Sequence, residues 1–413
     1  MRGAGGAVDY SIETLVLIPA IAVAAPLLVR AVGRWVAIPL VVFEILLGIV
    51  LGPAMLGWIR PGEFAEFLAD FGLAMLFFLA GNEIDFRTTR GRPLTRAAIG
   101  WLISLAAGIG IATLLSPDPA AAAFIGIALT STALGTIMPV LRDSGDLRTP
   151  FGVAVIAIGA VGEFGPLLAI SLFLSGRSPL VAALVLIAFA LIAGVAIWLA
   201  ARGTGRHLHR VITATLHTSG QFGVRLVVLV LVALVALSVE LDLDMLLGAF
   251  TAGVLYRLLL SGAPEHDVEI IEGKIEALGY GFLVPIFFVY TGVTFDLGAL
   301  FADSRTLVLL PVFLLLFLVV RGIPSMLAAP RGSSRRDLAA TALFGATGLP
   351  IIVAVTAIGV DAGDLATGTA AALVGAGMLS VLCFPLIGLL LRKRSADAAG
   401  REPDLQAHVP TEG

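Results

Sequence analysis

Residues 344–350 read Phe-Gly-Ala-Thr-Gly-Leu-Pro and lie in the middle of an apolar run that extends from 338 to 360. Two glycines and one proline within six residues favour a break in a helix, because proline removes a backbone hydrogen bond and glycine is a weak helix former. The hydroxyl of Thr347 is able to satisfy a backbone group that such a break leaves free. We therefore predict a broken helix here; close helix packing on small residues is the alternative.

The composition around this run is that of a membrane protein. The chain has 413 residues, of which 59% are hydrophobic and only 13% are charged, whereas a soluble protein has about 25% charged residues. Apolar runs of about 20 residues, each long enough to cross a ~30 Å hydrocarbon core, recur along the whole chain. Their length and their lack of alternation argue against a transmembrane β-barrel, so we predict an all-α polytopic membrane protein.

Few chemical groups in this chain suit an enzyme. The single cysteine, Cys383, rules out an intramolecular disulfide and a cysteine metal site, and the five histidines fall in predicted loops or in the tail. The apolar runs contain no pattern of residues for nucleophilic or metal catalysis. We therefore expect neither an enzyme nor a cofactor, and nothing in the sequence indicates a nucleic-acid partner. The pair His207 and His209 is interpreted as solvated loop, with metal binding or pH sensing as the alternative.

The apolar runs predict about thirteen transmembrane helices in one membrane domain, residues 1–394, followed by a short polar cytoplasmic tail, residues 395–413. Alternate loops concentrate the Arg and Lys residues, nineteen on one side against four on the other. The positive-inside rule then places the N-terminus outside and the C-terminus in the cytoplasm. The predicted spans are 13–30, 37–53, 66–82, 95–115, 119–140, 151–174, 179–200, 222–239, 243–260, 275–294, 305–328, 338–360 and 366–391.

Two short patterns recur in the two halves of the chain. Residues 44–48 read Glu-Ile-Leu-Leu-Gly, and residues 244–248 read Asp-Met-Leu-Leu-Gly. A Phe-Phe pair followed by Gly and then Asp occurs at 77–85 and again at 287–296. The matched spans lie seven apart and, since seven is an odd number, the second copy crosses the membrane in the opposite sense. The patterns therefore predict two inverted-topology six-helix repeats.

The repeats would cover about 13–174 and about 222–391, joined by a linker helix at 179–200. Many secondary transporters are built from inverted repeats, with the substrate bound near the bilayer midplane at broken helices. Under this pairing, the span at 119–140 is the counterpart of the broken span at 338–360, so we predict a second break that crosses the first. Its middle carries three hydroxyl residues: Thr130, Ser131 and Thr132.

One acidic side chain lies near the middle of a predicted span. Glu163 occurs within Val-Gly-Glu-Phe-Gly-Pro, residues 161–166, and an ionisable group at the bilayer centre costs at least ~2.5–3.5 kcal/mol, so it needs a reason. A carboxylate in that position can hold a proton or a small cation, but not both well. We therefore expect Glu163 to bind a proton and a monovalent cation in turn; the alternative is a structural ion pair.

Arg321, within Val-Arg-Gly at 320–322, is the clearest buried cation. Arginine does not lose its proton in proteins, so we expect charge compensation of a carboxylate or of the negative C-terminal ends of broken half-helices. The alternative is that Arg321 takes a direct part in gating or in coupling the movements of the two ions. One central acid and one base that does not titrate predict an electroneutral exchange of one proton for one monovalent cation.

Three further polar residues are secondary candidates. Glu83, beside Asn82 at the end of the third span, is interpreted as a partner of Glu163 or of the buried arginine. Glu44, in the middle of the second span, either lines an acidic funnel toward the site or makes a hydrogen bond between helices. Asp85 is interpreted as an interfacial charge.

At these residues the sequence resembles the monovalent cation:proton antiporter superfamily, in the branch of the Kef-type potassium systems and the bacterial sodium/proton antiporters. The resemblance covers about residues 10–391. Each motif is loose by itself, but their order and spacing are specific. The motifs are Glu-Ile-Leu-Leu-Gly-Ile-Val-Leu-Gly-Pro at 44–53, Phe-Phe-Leu-Ala-Gly-Asn-Glu-Ile-Asp at 77–85, Thr-Ser-Thr-Ala at 130–133, Pro-Ile-Phe-Phe at 285–288 and the break at 345–350.

The resemblance implies a homodimer whose mobile core domain, spans 4–6 and 11–13, carries the ion across the membrane in an elevator-like movement. It also implies ion binding at Glu163, with Thr130 and Thr132 on the broken helix, and a basic position at Arg321 that is lysine in electrogenic relatives. The sequence departs from the family in one place. The family often has two adjacent polar residues at the acid position, whereas Gly162 precedes the acid here, so ion coordination need not follow the family.

These observations together predict a secondary active transporter of a bacterial plasma (inner) membrane that exchanges Na⁺ or K⁺ for protons. Two alternatives stay open: a sodium-coupled organic-anion symporter of related fold, and a membrane sensor or scaffold that transports nothing. A symporter would need a roomy cavity and a second sodium site. The few polar residues near the predicted breaks favour a bare ion instead.

Overall fold

The computed structural model describes residues 12–32, 39–83, 91–174, 177–199, 221–260 and 265–399. Within these ranges every regular element is a helix, which confirms the all-α prediction. Eight of the described helices are long and apolar enough to cross a membrane, and five shorter apolar helices accompany them. The predictions made for Asp85, for His207 and His209, and for tail residues 400–413 lie outside the described residues.

Among the described residues, two π-helical segments interrupt the regular helices. Residues 279–283 precede the helix that begins at Val284, and residues 317–322 extend the helix that ends at Leu316, which continues in short helical turns to residue 328. The helices in chain order are α1 (Ile12–Val32), α2 (Leu40–Leu51), α3 (Glu63–Glu83), α4 (Arg92–Leu115), α5 (Pro119–Ala128), α6 (Leu134–Asp143), α7 (Pro150–Phe173), α8 (Pro179–Leu199), α9 (Phe222–Glu240), α10 (Met245–Leu260), α11 (Glu265–Leu278), α12 (Val284–Thr294), α13 (Leu297–Ala302), α14 (Ser304–Leu316), α15 (Arg335–Gly345), α16 (Pro350–Asp361) and α17 (Thr367–Ala399).

Both predicted helix breaks are present. The first span consists of the half-helices α5 and α6, and the second consists of α15 and α16. The N-terminal end of each span is capped by a side chain: Asp118 accepts a hydrogen bond from the N–H of Ala120, and Ser334 forms a capping box with Asp337. The inner ends have no such side-chain caps, so their backbone groups need partners from elsewhere.

The two breaks supply partners to each other. The backbone N–H of Ala133, in the first break, donates to the carbonyl of Thr347 in the second at 2.8 Å. The hydroxyl of Thr132 donates to the carbonyl of Gly345 at 2.6 Å. Non-helical backbone is tolerated at membrane depth where protein groups satisfy it, and here each interrupted helix satisfies part of the other.

Glycines hold two helix pairs in close contact. Gly48 of α2 lies against Val289 and Gly292 of α12, and Gly253 of α10 lies against the backbone of Phe78 in α3. In each case a Cβ would collide with backbone atoms, so only glycine allows this approach. The first pair joins the second span to the tenth, and the second pair joins the ninth to the third.

The two matched acidic residues of the repeat differ in their local structure. Glu44 lies inside α2 and is buried. Asp244 precedes α10 and accepts a hydrogen bond from the N–H of Leu246 at 2.8 Å, as an N-cap does. The chain reaches that cap through Asp242, whose φ of 50° ends the preceding helix in the left-handed region. The sequence similarity between the two motifs therefore does not extend to the role of the acid.

Arg392, near the end of α17, ties two other helices together. Its guanidinium donates to Asp146, in the loop before α7, at 2.6 Å and to Asp337, in the first turn of α15, at 2.9 Å. The same group lies over the ring of Phe151, 4.2 Å from its centroid. One planar cation thus connects the starts of α7 and α15 to the last helix, and all three helices contribute to the site described below or pack against it.

Replacing Arg392→Ala leaves two partly buried carboxylates without their shared cation, and we expect it to lower the free energy of unfolding by about 2 kcal/mol. Arg392→Lys should lose less, because an ammonium keeps the charge but lacks the planar fork that reaches two carboxylates. Thermal unfolding of the purified protein in detergent measures both. An unfolding midpoint of Arg392→Ala equal to that of the unsubstituted protein would contradict this role.

Candidate functional site

Glu163 lies in the middle of α7, at the first broken helix. One carboxylate oxygen, Oε1, accepts hydrogen bonds from the backbone N–H groups of Leu134 at 2.8 Å and Gly135 at 3.4 Å. These are the first N–H groups of α6, and a helix N-terminus carries a partial positive charge. They are free to bind the carboxylate because residues 129–133 are not α-helical. The helix break itself therefore provides the donors that hold this acid.

The second carboxylate oxygen of Glu163, Oε2, is buried, and none of the described groups donates a hydrogen bond to it. The whole residue is only 4% exposed. A buried carboxylate oxygen without a partner is costly, so this atom marks a position where a proton or a cation would bind. The acid predicted to bind ions thus lies where two interrupted helices meet, with one oxygen held and the other open.

Thr132 connects the segments around this acid. Its backbone N–H donates to the carbonyl of Gly162 at 3.0 Å. Its hydroxyl donates to Gly345, in the second broken helix, at 2.6 Å and accepts from Nε of Arg321 at 2.8 Å. A single threonine therefore links both broken helices, the acid-bearing helix α7 and the π-helical segment that carries the arginine.

Arg321 is fully buried but is not paired with Glu163. Its Nη2 donates to the carbonyl of Ile158 at 2.8 Å, and its Nη1 has no acceptor among the described residues. Within the part of the chain that the structure describes, no carboxylate oxygen lies within 4.0 Å of its nitrogens. The structural alternative for Glu163, a buried ion pair, is therefore not what this arrangement shows.

The other predicted hydroxyl groups serve the ends of the half-helices. The hydroxyls of Thr130, Ser131 and Thr347 each donate to a carbonyl three or four residues earlier in their own half-helix, at 2.7, 3.0 and 2.9 Å. These carbonyls have lost their usual partners because the helix stops. The three side chains are buried near the crossing, and their donors are used locally rather than on Glu163.

Sequence reasoning missed Ser380, which supports the second break. Its hydroxyl lies 3.1 Å from both the N–H and the carbonyl oxygen of Gly348. The last helix thereby holds the unwound backbone of the second broken helix. The available signal was weak: a lone serine in the apolar run 366–391.

Tyr280 is a second residue that sequence reasoning missed. It lies in the π-helical segment 279–283, and its phenol donates to Oε1 of Glu83 at 3.3 Å. The phenol also lies close to Gly135: a methyl group added there would be 3.8 Å from the phenol oxygen. The phenol is within electrostatic range of Glu163. π-Helical segments often occur at functional sites. Of the two among the described residues, this one places its phenol near Gly135, and the other carries the buried arginine.

The secondary candidates contain further open oxygens. Oε2 of Glu83, Oδ1 of Asn82 and Oε1 of Glu44 are buried, and the described residues provide no hydrogen-bond donor to them. Glu83 is within electrostatic range of Glu163, so the two carboxylates disfavour each other's negative charge. Glu44 lies on α2, one turn before the glycine contact with α12, and no described contact links it to Glu163.

An acidic cavity of about 330 Å³ opens at the opposite end of α3 from Glu83. Among the described residues its lining includes no Arg or Lys. Leu73, Phe287 and Val353 lie among its apolar lining. The carboxylates on its wall come from α3, from the turn before α13 and from the end of α16: Glu66, Asp70, Asp296 and Asp361.

Comparison with known proteins gives one consistent result. Residues 20–391 match the family model described as "Sodium/hydrogen exchanger, transmembrane". YjbQ of Bacillus subtilis (strain 168), whose name places it among Na⁺/H⁺ antiporters, is 30% identical over 93% of this chain and 64% of its own length. GerN of Bacillus cereus, named as a Na⁺/H⁺-K⁺ antiporter, is 24% identical over 62% of this chain and 66% of its own length. The chain thus spans about two thirds of each relative.

The fold is also that of a solved structure. The structure of the sodium proton antiporter MjNhaP1 from Methanocaldococcus jannaschii at pH 8 superposes with a TM-score of 0.62, covering 94% of this chain and 98% of that one. The sequence identity is 17%, so this similarity concerns the fold alone.

The crossing depends on the absence of a side chain at position 162. In Gly162→Ala the added methyl would lie 2.5 Å from Cβ and Oγ1 of Thr132 and 2.7 Å from Nη2 of Arg321. Neither group can retreat without losing a hydrogen bond, so we expect a loss of about 1–3 kcal/mol in stability, typical of overpacking. Thermal unfolding in detergent measures it.

Gly110→Ala is the matched control, because a Cβ at this helical glycine meets no atom within 4 Å. It should be neutral or slightly stabilising, since alanine is the better helix former. Equal unfolding midpoints for the two variants would contradict this prediction, because they would show that the crossing accommodates a methyl group at position 162.

Proposed function

This chain belongs to the sodium/hydrogen exchanger family, and on that premise we propose that it is a secondary active transporter that exchanges Na⁺ or K⁺ for protons across a bacterial inner membrane. The observation that carries the proposal is the open Oε2 of Glu163, buried where two broken helices cross. The relatives named above are named as antiporters, which supports the same class of activity.

The coupling follows from the charge of the site. Glu163 with a proton bound is neutral, and its carboxylate with a monovalent cation bound is neutral as well. The empty carboxylate is negative, and moving it through the low-dielectric interior of the membrane is costly. We infer that the site moves between its outward-open and inward-open states only when Glu163 has bound a proton or a cation. A cation can then return only if a proton replaces it, and this is exchange.

Arg321 provides a charge that stays constant through the cycle. Its guanidinium does not lose its proton, and neutral oxygens of Thr132 and Ile158 hold it in place. Since neither loaded form alters this charge, one cycle exchanges one proton for one monovalent cation with no net charge transfer.

The site has a candidate access route on each side. The acidic cavity beside Glu66 and Asp70 is one, and the Tyr280–Glu83 pair at the other end of α3 is the second. With the arginine-rich loops in the cytoplasm, the acidic cavity opens to the outside and Glu83 faces the cytoplasm. Carboxylates along a route raise the local concentration of cations.

The movement we propose is elevator-like, in a thirteen-helix protomer of two inverted repeats, residues 1–394, within a homodimer. Two broken helices at matched positions support the repeat. The glycine contacts support it too, because exchanging the two repeats converts the pair α2–α12 into the pair α10–α3. In this arrangement the broken helices, with α4, α7, α14 and α17, form the core that carries Glu163.

Glu163→Gln removes the carboxylate with almost no change in shape, so we expect exchange to fall to the background of protein-free liposomes. The assay is dequenching of a pH-sensitive dye in proteoliposomes after addition of Na⁺, K⁺ or Li⁺. Glu269→Gln, at an exposed acid on α11, is the matched control and should retain full activity. Exchange that survives in Glu163→Gln would move the site elsewhere, with Glu83 next in line.

The same assay separates the alternatives in the unsubstituted protein. Flux only in the presence of an organic anion would show symport, and no flux under any condition would show a sensor or scaffold. Either result would contradict the proposed exchange.

Electroneutral exchange should not respond to membrane potential. A cycle that moves one net charge would gain or lose ~2.3 kcal/mol of driving force per 100 mV, so the flux would change direction at a potential set by the ion gradients. We expect the flux to follow the ion gradients alone when the potential is varied with a potassium-selective ionophore in sodium medium. A transport current that reverses with membrane potential is the contrary result.

Glu83 and Tyr280 should act as a unit that relays protons or cations to Glu163. We expect Glu83→Gln and Tyr280→Phe each to reduce turnover by about tenfold or more, as loss of a positioned proton carrier does. The apparent cation affinity should change little, because Glu163 remains. The double variant should be no slower than the slower single variant, since both changes break one relay. Additive losses, or a loss of affinity without a loss of turnover, would contradict the relay.

A further inference from the structure

A basic cleft lies away from the site described above, where α4 and α7 begin and residues 326–333 pass between them. It consists of two adjoining cavities of about 460 and 340 Å³. Arg96, Ala329, Pro330 and Arg331 line both cavities, so the two form one continuous surface. Two more arginines, Arg92 and Arg148, line the smaller cavity.

The charge of this basic cleft is not balanced by the described protein groups around it. Its described lining residues include four arginines and no Asp or Glu. Arg96 and Arg331 lie within electrostatic range of Arg92, so the like charges repel one another. Across the described ranges, none of these arginines has a carboxylate within 4.0 Å. Such a cluster is stabilised by an anion between its members.

Two nearby acids already accept hydrogen bonds from another arginine. Asp146, two residues before Arg148, and Asp337, next to the lining residue Leu338, both accept hydrogen bonds from Arg392. They are therefore poorly placed to neutralise the cleft as well. No other acid lines the cleft among the described residues, so an anion that binds these arginines would come from elsewhere.

The geometry of the arginines suits phosphate. Guanidinium groups bind phosphate oxygens with paired, charge-assisted hydrogen bonds. Nη1 of Arg96 is held in place by the carbonyl of Leu327 at 3.3 Å, so at least one guanidinium is oriented before any ligand arrives. The positive N-terminal ends of α4 and α7 face the same cleft and add to its attraction for an anion.

The remaining walls identify the source of the phosphate. The larger cavity is also lined by Ile99 and Leu327, whose side chains are 49% and 44% exposed. On helices that cross a membrane, exposed apolar side chains of this kind contact lipid tails. A ligand that meets arginines at one end and these side chains at the other has an anionic head and an apolar tail. Basic cavities between membrane helices bind lipid headgroups in this manner.

We propose that the basic cleft is a binding site for the phosphate group of an anionic phospholipid. The site is independent of the ion exchange proposed above, because none of its arginines contacts Glu163 or the helix crossing in the described structure. A lipid bound there joins the starts of α4 and α7 to the segment after α14.

The test adds lipids to the purified protein in detergent and measures both the thermal unfolding midpoint and the lipid retained in native mass spectra. The probes are phosphatidylglycerol, the zwitterionic phosphatidylcholine, and Tris phosphate, which adds no transported cation, at equal concentration. We expect phosphatidylglycerol to be retained and to stabilise the protein. The double variant Arg92→Gln/Arg331→Gln should bind it at least about tenfold more weakly, since each lost charge-assisted hydrogen bond contributes more than 1.4 kcal/mol.

Arg335→Gln is the matched control, an exposed arginine nearby in the chain that does not line the cleft. It should bind phosphatidylglycerol like the unsubstituted protein. Equal stabilisation by Tris phosphate, equal retention of phosphatidylcholine, or unchanged binding by the double variant would each overturn the proposal. The comparison of lipids on the unsubstituted protein decides the matter even if the double variant does not fold.

Discussion

The hydroxyl group of Thr132 is the contact on which the rest of this structure depends. It accepts a hydrogen bond from a fully buried guanidinium and donates one to the opposite broken helix. A charge as deeply buried as Arg321 is costly, and acceptors reduce that cost: Thr132 accepts from Nε and Ile158 from Nη2, while Nη1 has no acceptor among the described residues. Thr132 can face it because the first helix is interrupted at that residue. The same interruption frees the N–H groups of Leu134 and Gly135, which hold Glu163. The buried base and the buried acid thus depend on one break in one helix.

Glu163 and Arg321 differ in whether their polar groups are available to bind an ion. Neutral oxygens hold the arginine, and its guanidinium binds neither a cation nor a further proton. Glu163 has one oxygen fixed by backbone donors and one oxygen to which none of the described groups donates. If the two formed an ion pair, the open oxygen would be occupied and a cation would have to break the pair to enter. Separating them keeps the positive charge near the acid, where it partly offsets the negative charge of the empty carboxylate, and leaves the binding position free.

Much of this fold could be predicted from sequence because its signals are local. Membrane-length apolar runs identify helices without any knowledge of the partners. Glycines and a proline break the helix at 345–350 whatever packs around it, and Glu163 stands out because an acid in an apolar span needs a compensating function. The hydroxyls of residues 130–132 have a weaker local signal, and the repeat predicts them as a group because it pairs their span with the broken span at 338–360.

Other parts of the site depend on tertiary contacts and have no local signal. Tyr280 reaches Glu83 only because a π-helical turn shifts the register of its helix, and such a turn has no distinctive sequence. Which hydroxyl meets the arginine could not be predicted, since Thr130, Ser131 and Thr132 are chemically alike and only the crossing geometry separates them. The absence of an ion pair at Arg321, the support from Ser380 and the four-arginine cleft likewise depend on which distant helices become neighbours.

The central claim is that a proton and a cation compete for Oε2 of Glu163, and proton release on cation binding tests it most directly. Purified protein in weakly buffered detergent solution is held at a pH at which the site is protonated, and NaCl or KCl is added while the pH is recorded against choline chloride. The account predicts the release of one proton per bound cation, and no release from Glu163→Gln. Cation binding without proton release, or the same release from Glu163→Gln, would contradict it.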